Sequence, residues 1–135
     1  MASKQELERF FLEEFPQSDF VIDSVGAKQA VIRKRISHGH LRPGGTVSGP
    51  VLMEMADAGL YVAILGTIGV VALAVTTNLN INFLRKPRAD RDIIADCRLI
   101  KVGKALIVGE VFLYSDGDEE PVAHATGTYS VPPSR

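Results

Sequence analysis

Cysteine is nearly absent from this chain of 135 residues, which has Cys97 alone and therefore no partner for an intrachain disulfide. A chain without disulfides suits a reducing compartment. The segment 1–14 is polar and acidic and lacks the basic and apolar regions of a signal peptide. We therefore expect a cytoplasmic protein. The formal net charge is -1, so the chain as a whole offers no attraction to nucleic acid, and we expect no such partner.

The sequence also lacks motifs for metals and nucleotides. The three histidines, His38, His40 and His124, have no cysteine or paired acid at zinc-ligand spacing. No phosphate-binding loop and no dinucleotide fingerprint occur. Spacing alone leaves a Ser-His-Asp triad open, but there is no Gly-x-Ser-x-Gly elbow. The sequence therefore predicts no metal and no cofactor.

The N-terminal third of the chain predicts one short helix and two strands. A Ser-x-x-Glu capping box precedes apolar residues at helical spacing, which predicts an amphipathic helix over 4–14 that lies over the edge of the core. Residues 20–23 predict a short strand. Residues 28–36 alternate between apolar and polar side chains, as a half-exposed strand does. The basic residues 33–35 are interpreted as a solvated face.

A long apolar segment follows a loop rich in glycine and proline. Ser48 is a suitable N-cap and Pro50 fits the first turn of a helix that should run to about residue 65. The helix is apolar nearly all round, so other elements should wrap it. The apolar run over 51–74, which begins in this helix, is the candidate for a membrane span, but Glu54 and Asp57 near its start would be costly in hydrocarbon. We therefore expect a core helix, followed by a glycine-marked turn and a buried strand, and no membrane.

The second half of the chain predicts a run of strands with short turns, over residues 71–84, 92–102, 104–115 and 121–131. Consecutive strands of this kind favour an antiparallel sheet. One antiparallel sheet wrapped on one helix is an α+β fold, here predicted as a single domain over 1–135. Such a sheet has open edges, and pairing with a second copy would cover them.

Asp57 is the leading candidate for a functional residue. A carboxylate inside an apolar helix is costly unless something pairs with it or uses it, and such acids cluster at functional sites. Asp57 could act as a general base, a nucleophile or an orienting acceptor. Glu54, one turn earlier, is a rival. The alternative for Asp57 is a structural acid held by the backbone or by an arginine.

Gly49, at the start of the same helix, has an N–H suited to a polarised carbonyl or an oxyanion, because the first N–H groups of a helix have no internal partner. Eight residues separate Gly49 from Asp57, which is roughly 12 Å along the helix axis. One small carbonyl cannot contact both. The two groups can act together only if they come from different chains, which predicts a dimer with shared sites.

Polar residues also interrupt the first strand after the helix. By the two-residue period of a strand, Thr76, Asn78, Asn80 and Asn82 should share one face. If that face packs on the helix, Thr76 could hold a water or orient Asp57. The alternative is that these side chains face solvent.

These residues resemble a known family, the hotdog-fold acyl-CoA thioesterases, and in particular their phenylacetate-degradation (PaaI-like) branch. The resemblance covers roughly residues 20–131. The family pattern Asn-Pro-x-Gly-x-x-His-Gly-Gly, followed by Leu-x-Asp, corresponds to Arg-Pro-Gly-Gly-Thr-Val-Ser-Gly-Pro over 42–50 and Met-Ala-Asp over 55–57. Residues 80–87, 100–104 and 123–129 resemble the family's later strands and its Gly-Lys hairpin.

The resemblance implies a curved antiparallel sheet around a long helix, in a homodimer or homotetramer, and hydrolysis of an acyl-CoA thioester. It implies catalytic roles for Asp57 as the acid, Gly49 as the N–H donor and Thr76 as the hydroxyl that places water. Residues expected to bind substrate, including the coenzyme phosphates, are Arg42, Ser48, Glu54, Arg85, Lys86 and Lys104.

Three residues depart from the family pattern. Arg42 stands where many members have asparagine, Ser48 replaces the histidine, and Pro50 replaces the second glycine. Pro50 removes one N–H donor but leaves that of Gly49. An alternative to catalysis is therefore a hotdog module that binds acyl groups without hydrolysing them. A hotdog hydratase is disfavoured because no histidine closely follows Asp57.

Overall fold

A computed structural model of the chain describes residues 1–133. The helices are α1 (Lys4–Glu14) and α2 (Gly49–Ile68). The strands are β1 (Val21–Gly26), β2 (Gln29–Lys34), β3 (Leu41–Arg42), β4 (Thr46–Val47), β5 (Val75–Phe83), β6 (Ile93–Val102), β7 (Leu106–Ser115) and β8 (Ala123–Ser130). Six of these strands form one antiparallel sheet in the order β1-β2-β6-β7-β8-β5. The two short strands β3 and β4 pair separately, after a 3-10 turn at His38–His40. The predicted α+β layout is confirmed.

Helix α2 lies across the concave side of the sheet and packs on β2, β6 and β7. Ten of its 20 residues are buried, and Gly59 allows the closest approach, since a Cβ there would collide with the Sγ of Cys97 on β6. The helix is long and apolar enough to cross a membrane by length and composition. Its burial under the sheet is that of a core helix. The wrapping is one-sided, however, because Met53 and Glu54 are exposed.

Helix α1 begins at the predicted capping box, in which Ser3 and Glu6 each accept an N–H of the other residue. Leu7 and Phe11 are buried. The Phe11 ring contacts the ring of Tyr61 on α2 edge-on, with centroids 5.9 Å apart. Helix α1 therefore docks on the C-terminal half of α2 and covers a side of the core that the sheet leaves open.

Strand β5 differs from its prediction in two ways. It is an edge strand that pairs only with β8, and most of it is exposed rather than buried. The register shifts between Thr76, which pairs with Tyr129, and Asn78, which pairs with Thr128. Because Tyr129 is buried towards α2, the bulge leaves Thr76 on the helix side and turns the three asparagines to the outer side. The expected common face of Thr76 and the asparagines is therefore wrong.

The remaining differences are local. Helix α2 runs to Ile68, three residues beyond the expected end. Ser48 occupies the N-cap position with extended backbone angles, but its side chain makes no capping hydrogen bond. Lys34 is buried rather than solvated. It lies on the same, inward face of β2 as Ala30 and Ile32.

We expect Gly59→Ala to destabilise the fold by about 1–3 kcal/mol, the usual cost of overpacking. The same change in a Cys97→Ala background should instead stabilise by about 1 kcal/mol, because the obstacle is gone and alanine favours a helix over glycine. Urea unfolding of the four chains measures both effects. Gly39→Ala is the control, since a Cβ at Gly39 has no neighbour within 4 Å. Stabilisation by Gly59→Ala alone would contradict this packing.

Candidate active site

The carboxylate of Asp57 is half-buried and is held through one of its oxygens. Oδ1 accepts hydrogen bonds from the Thr76 hydroxyl at 2.6 Å and from the Tyr129 hydroxyl at 2.7 Å. The Tyr129 hydroxyl also lies 2.9 Å from the main-chain oxygen of Asp57. Since a hydroxyl has one hydrogen, the two acceptors compete, and the charged carboxylate is the stronger. Within residues 1–133, Oδ2 has no hydrogen-bond donor.

Tyr129 is a donor that keeps its proton. Burial raises the pKa of its hydroxyl, and the neighbouring charge of Asp57 raises it further. Both causes act in the same direction, because each disfavours a phenolate. Asp57 is therefore held by two neutral hydroxyls rather than by an arginine or by backbone N–H groups, which were the structural alternatives.

Asp57 opens into a cavity of about 490 Å³ that α1, α2 and the α1–β1 connection enclose. Its apolar lining is mainly aromatic and comes from Phe11, Phe15, Phe20, Tyr61 and Tyr129. The rings of Tyr61 and Tyr129 are stacked, with centroids 6.1 Å apart. The short N-terminal helix is therefore a wall of this cavity and not merely a cover for the edge of the core.

Charged side chains lie on another side of the same cavity. Lys34 donates to Glu54 at 3.0 Å and to the main-chain oxygen of Asp19 at 3.1 Å. The Lys34 side chain is 5 % exposed, whereas that of Glu54 is 66 % exposed. A buried ammonium needs such partners. Lys34 thereby fastens the α1–β1 connection to α2 beside Asp57.

His40 also lines this cavity. Its Nδ1 accepts the N–H of Ser37 at 2.9 Å, so the proton of the neutral ring lies on Nε2. Its main-chain oxygen accepts the N–H of Ser48 at 3.0 Å. This second bond fixes the turn against the start of α2.

Gly49 faces a different cavity, of about 330 Å³, at the start of α2. Arg42, Arg85 and Lys86 share this cavity with it, and the ring of Phe83 lies 3.3 Å from the position a Cβ on Gly49 would take. Gly49 is the first helical residue, so its N–H has no partner within the helix. The guanidinium of Arg85 is bound to Glu120 at 2.7 Å and to the main-chain oxygen of Pro121 at 2.9 Å.

The structure thus sorts the predicted site residues into two groups. Asp57 and Glu54 line the first cavity, and Thr76 joins them through its hydrogen bond to Asp57. Gly49, Arg42, Arg85 and Lys86 line the second cavity, and Ser48 precedes Gly49 in the chain. Lys104 lies apart from both, in a hollow beside Ser130 and Val131. Asp57 and Gly49 do not share a cavity within one chain. The roles predicted for all these residues stay predictions.

Sequence reasoning missed Tyr129, Lys34, His40 and the aromatic side chains of α1. The two-residue period of the strands was an available signal. Tyr129 lies an even number of residues from the buried Ala123 and Ala125, and Lys34 lies an even number of residues from the buried Ala30, so each should face the core. Within residues 1–133, no three side chains of the kinds that ligate metals cluster as a metal site requires.

A family model of the thioesterase superfamily matches residues 44–122, which include the second half of the glycine-rich loop before α2 and all of α2. The chain belongs to the thioesterase superfamily. A Pseudomonas aeruginosa protein, named as an inferred esterase, is 30% identical over 105 residues, which is 78% of this chain and 77% of that protein. Membership supports thioester hydrolysis as the general activity.

Solved structures agree with this assignment. A crystal structure from Silicibacter sp. TM1040, named as an inferred thioesterase, has a TM-score of 0.89 and 44% identity and covers 97% of this chain and 92% of its own. Escherichia coli PaaI, of the phenylacetic acid degradation operon, has a TM-score of 0.73 at 22% identity, over 82% of each chain. A Streptococcus mutans protein bound to acetyl-CoA has a TM-score of 0.74 at 22% identity, over 85% of this chain and 90% of its own. The hotdog fold and the likeness to PaaI-type proteins are confirmed.

We expect Lys34→Met to loosen the α1–β1 connection while the fold persists, because methionine fills the buried space but cannot bind Asp19 or Glu54. Amide hydrogen exchange in a peptide spanning 15–20 should accelerate several-fold. Arg35→Met, at an exposed neighbouring position, is the control and should leave that peptide unchanged. Equal exchange in Lys34→Met and the wild type would show that this ion cluster tethers nothing.

Proposed function

We propose that this protein hydrolyses acyl-CoA thioesters at sites shared between two copies of the chain. The observation that carries the proposal is the separation of the two functional groups of α2 into different cavities, one with the carboxylate of Asp57 and the other with the N–H of Gly49. Neither cavity has both groups. A second copy that brings its Gly49 to the first copy's Asp57 would complete the site.

Strand β5 supports the way in which two copies would meet. It is a nine-residue edge strand with unpaired backbone groups on one side, and such an edge readily pairs with another chain. Thr76, next to Asp57, lies near one end of β5, and Phe83, next to Gly49, lies at the other. Antiparallel pairing of two β5 strands about a two-fold axis would set Thr76 of one copy opposite the partner's Phe83. Each Asp57 would then approach the partner's Gly49.

The exposed apolar residues around this edge support the same association. Val70, Leu73, Val75, Phe83 and Leu84 are large apolar side chains with 46 % to 74 % exposure. They lie in or next to β5, so a partner sheet would remove them from water. The exposed face of α2 near Met53 and Glu54 would meet its equivalent in the partner.

In the proposed reaction, the N–H of Gly49 donates to the thioester carbonyl, with the positive end of the α2 dipole behind it. The partner's Asp57 accepts a proton through Oδ2 from a water molecule as the water oxygen bonds to the carbonyl carbon. The tetrahedral oxyanion then collapses, the carbon–sulfur bond breaks, and the thiolate sulfur takes the proton. The products are the free acid and coenzyme A.

The two cavities suit the two parts of such a substrate. The aromatic cavity beside Asp57 offers an apolar volume for the acyl group. The cavity beside Gly49 has Arg42 and Lys86, whose charges favour the coenzyme phosphates. The same antiparallel pairing would bring Lys104, at the other end of the sheet, towards this region of the partner. A related fold in Streptococcus mutans holds acetyl-CoA, which is consistent with this division.

We expect Asp57→Asn to remove nearly all hydrolysis of a panel of acyl-CoA thioesters, read out as free thiol, while the dimer persists. Gly49→Pro should also be inactive, because proline is tolerated in the first turn but has no N–H. Gly49→Ala keeps the N–H and is its matched control.

A hybrid dimer of Asp57→Asn with Gly49→Pro, isolated with two affinity tags, has one intact site of two and should recover about half of the wild-type activity.

An inactive hybrid with an active Gly49→Ala control would contradict the shared site. Full activity in Asp57→Asn would contradict the catalytic role itself. No turnover of any thioester by the wild-type protein, together with saturable binding, would favour the non-catalytic acyl-binding alternative.

A further inference from the structure

We propose that Tyr129 is a positioning residue for the reaction, whose hydroxyl holds Oδ1 of Asp57 so that Oδ2 alone faces the reacting water. This inference rests on the proposed function, since it concerns how Asp57 is prepared for its role. Neither the family pattern nor the spacing of polar residues pointed to this tyrosine.

The carboxylate of Asp57 is held asymmetrically, through one of its two oxygens. Both hydroxyls within hydrogen-bond distance of Asp57, those of Thr76 and Tyr129, reach Oδ1 at 2.6 and 2.7 Å. Two donors on one oxygen fix the rotation of the carboxylate about its terminal bond, a torsion that is otherwise broad. The other oxygen, Oδ2, keeps its lone pairs available. One oxygen therefore holds the carboxylate in place, while the other can accept a proton.

The two donors differ in rigidity. Thr76 lies next to the bulge of an exposed edge strand. Tyr129 is 3 % exposed and lies on β8, between β7 and β5 within the sheet. Its ring is stacked on Tyr61, whose own hydroxyl is bound to the main-chain oxygen of Ala72 at 3.0 Å. Tyr129 is therefore the more rigid of the two donors, and its position does not depend on whether the edge strand has a partner.

The Tyr129 hydroxyl also lies 2.9 Å from the main-chain oxygen of Asp57, although its one hydrogen goes to Oδ1. This closeness places the donor on β8 at the level of the carboxylate on α2. A shift of the helix along its axis would carry Oδ1 away from its donor. Tyr129 thus sets the position of the carboxylate relative to the sheet as well as its rotation.

The test compares Tyr129→Phe with Tyr114→Phe. Each variant removes one tyrosine hydroxyl, but Tyr114 lies on β7 and lines neither cavity. For Tyr129→Phe we expect kcat to fall roughly 10- to 100-fold with little change in KM, as for the loss of a hydrogen bond to a charged group. Tyr114→Phe should change kcat less than threefold.

The pH dependence of kcat gives a readout that a purely structural role would not move. Removal of a donor disfavours the charged carboxylate, so the acid limb of the profile should move to higher pH in Tyr129→Phe and stay in place in Tyr114→Phe. The other titratable groups around the cavity, Asp19, Lys34, His40, Glu54 and Tyr61, are the same in both variants. A fluorotyrosine at position 129, a stronger donor, should move the limb the opposite way and tests the idea if Tyr129→Phe folds poorly.

The outcomes separate this inference from the function on which it rests. If Asp57→Asn is inactive but Tyr129→Phe has the kcat and acid limb of Tyr114→Phe, Tyr129 positions nothing and the proposed function stands. If Asp57→Asn is fully active, the proposed function fails and the inference falls with it.

Discussion

The hydrogen bonds to the carboxylate of Asp57 are the interaction on which the rest of the site depends. An acid within an apolar helix must find donors or lose its charge. Here the donors come from the two last strands of the sheet order, through Tyr129 on β8 and Thr76 on β5. They join the buried helix to the open edge of the sheet, so the geometry of the acid follows directly from how the sheet ends.

The proposed shared site follows from the same arrangement. Gly49 is the first residue of α2 and Asp57 lies two turns later, so the N–H and the acid of one chain cannot both reach one small group. One face of α2 and one edge of the sheet are exposed. Under the proposal, these exposed surfaces and the separate cavities at Asp57 and Gly49 are explained together by a second copy of the chain.

Much of this could be predicted from the sequence, because the strong signals are local. The capping box before α1, the apolar run of α2 and the alternation in β6, β7 and β8 each fix an element. The two acids within the apolar run, Glu54 and Asp57, mark the candidate site. The rest depends on contacts between distant segments. The bulge beside Thr76 moves three asparagines to the other face of β5. Lys34 and Tyr129 can be recognised as site residues only from their hydrogen bonds to Glu54 and Asp57, which are distant from them in sequence.

The most direct test of the shared site is a crystal structure of the protein with an acyl-CoA analogue in which CH2 replaces the thioester sulfur, so that the carbonyl remains but cannot be cleaved. We predict a dimer in which the carbonyl oxygen lies about 3 Å from the N–H of Gly49 of one protomer, with Oδ2 of the partner's Asp57 directed at its carbon through a water molecule. A carbonyl bound by a single chain, or Oδ2 turned away from any cleft between protomers, would contradict it.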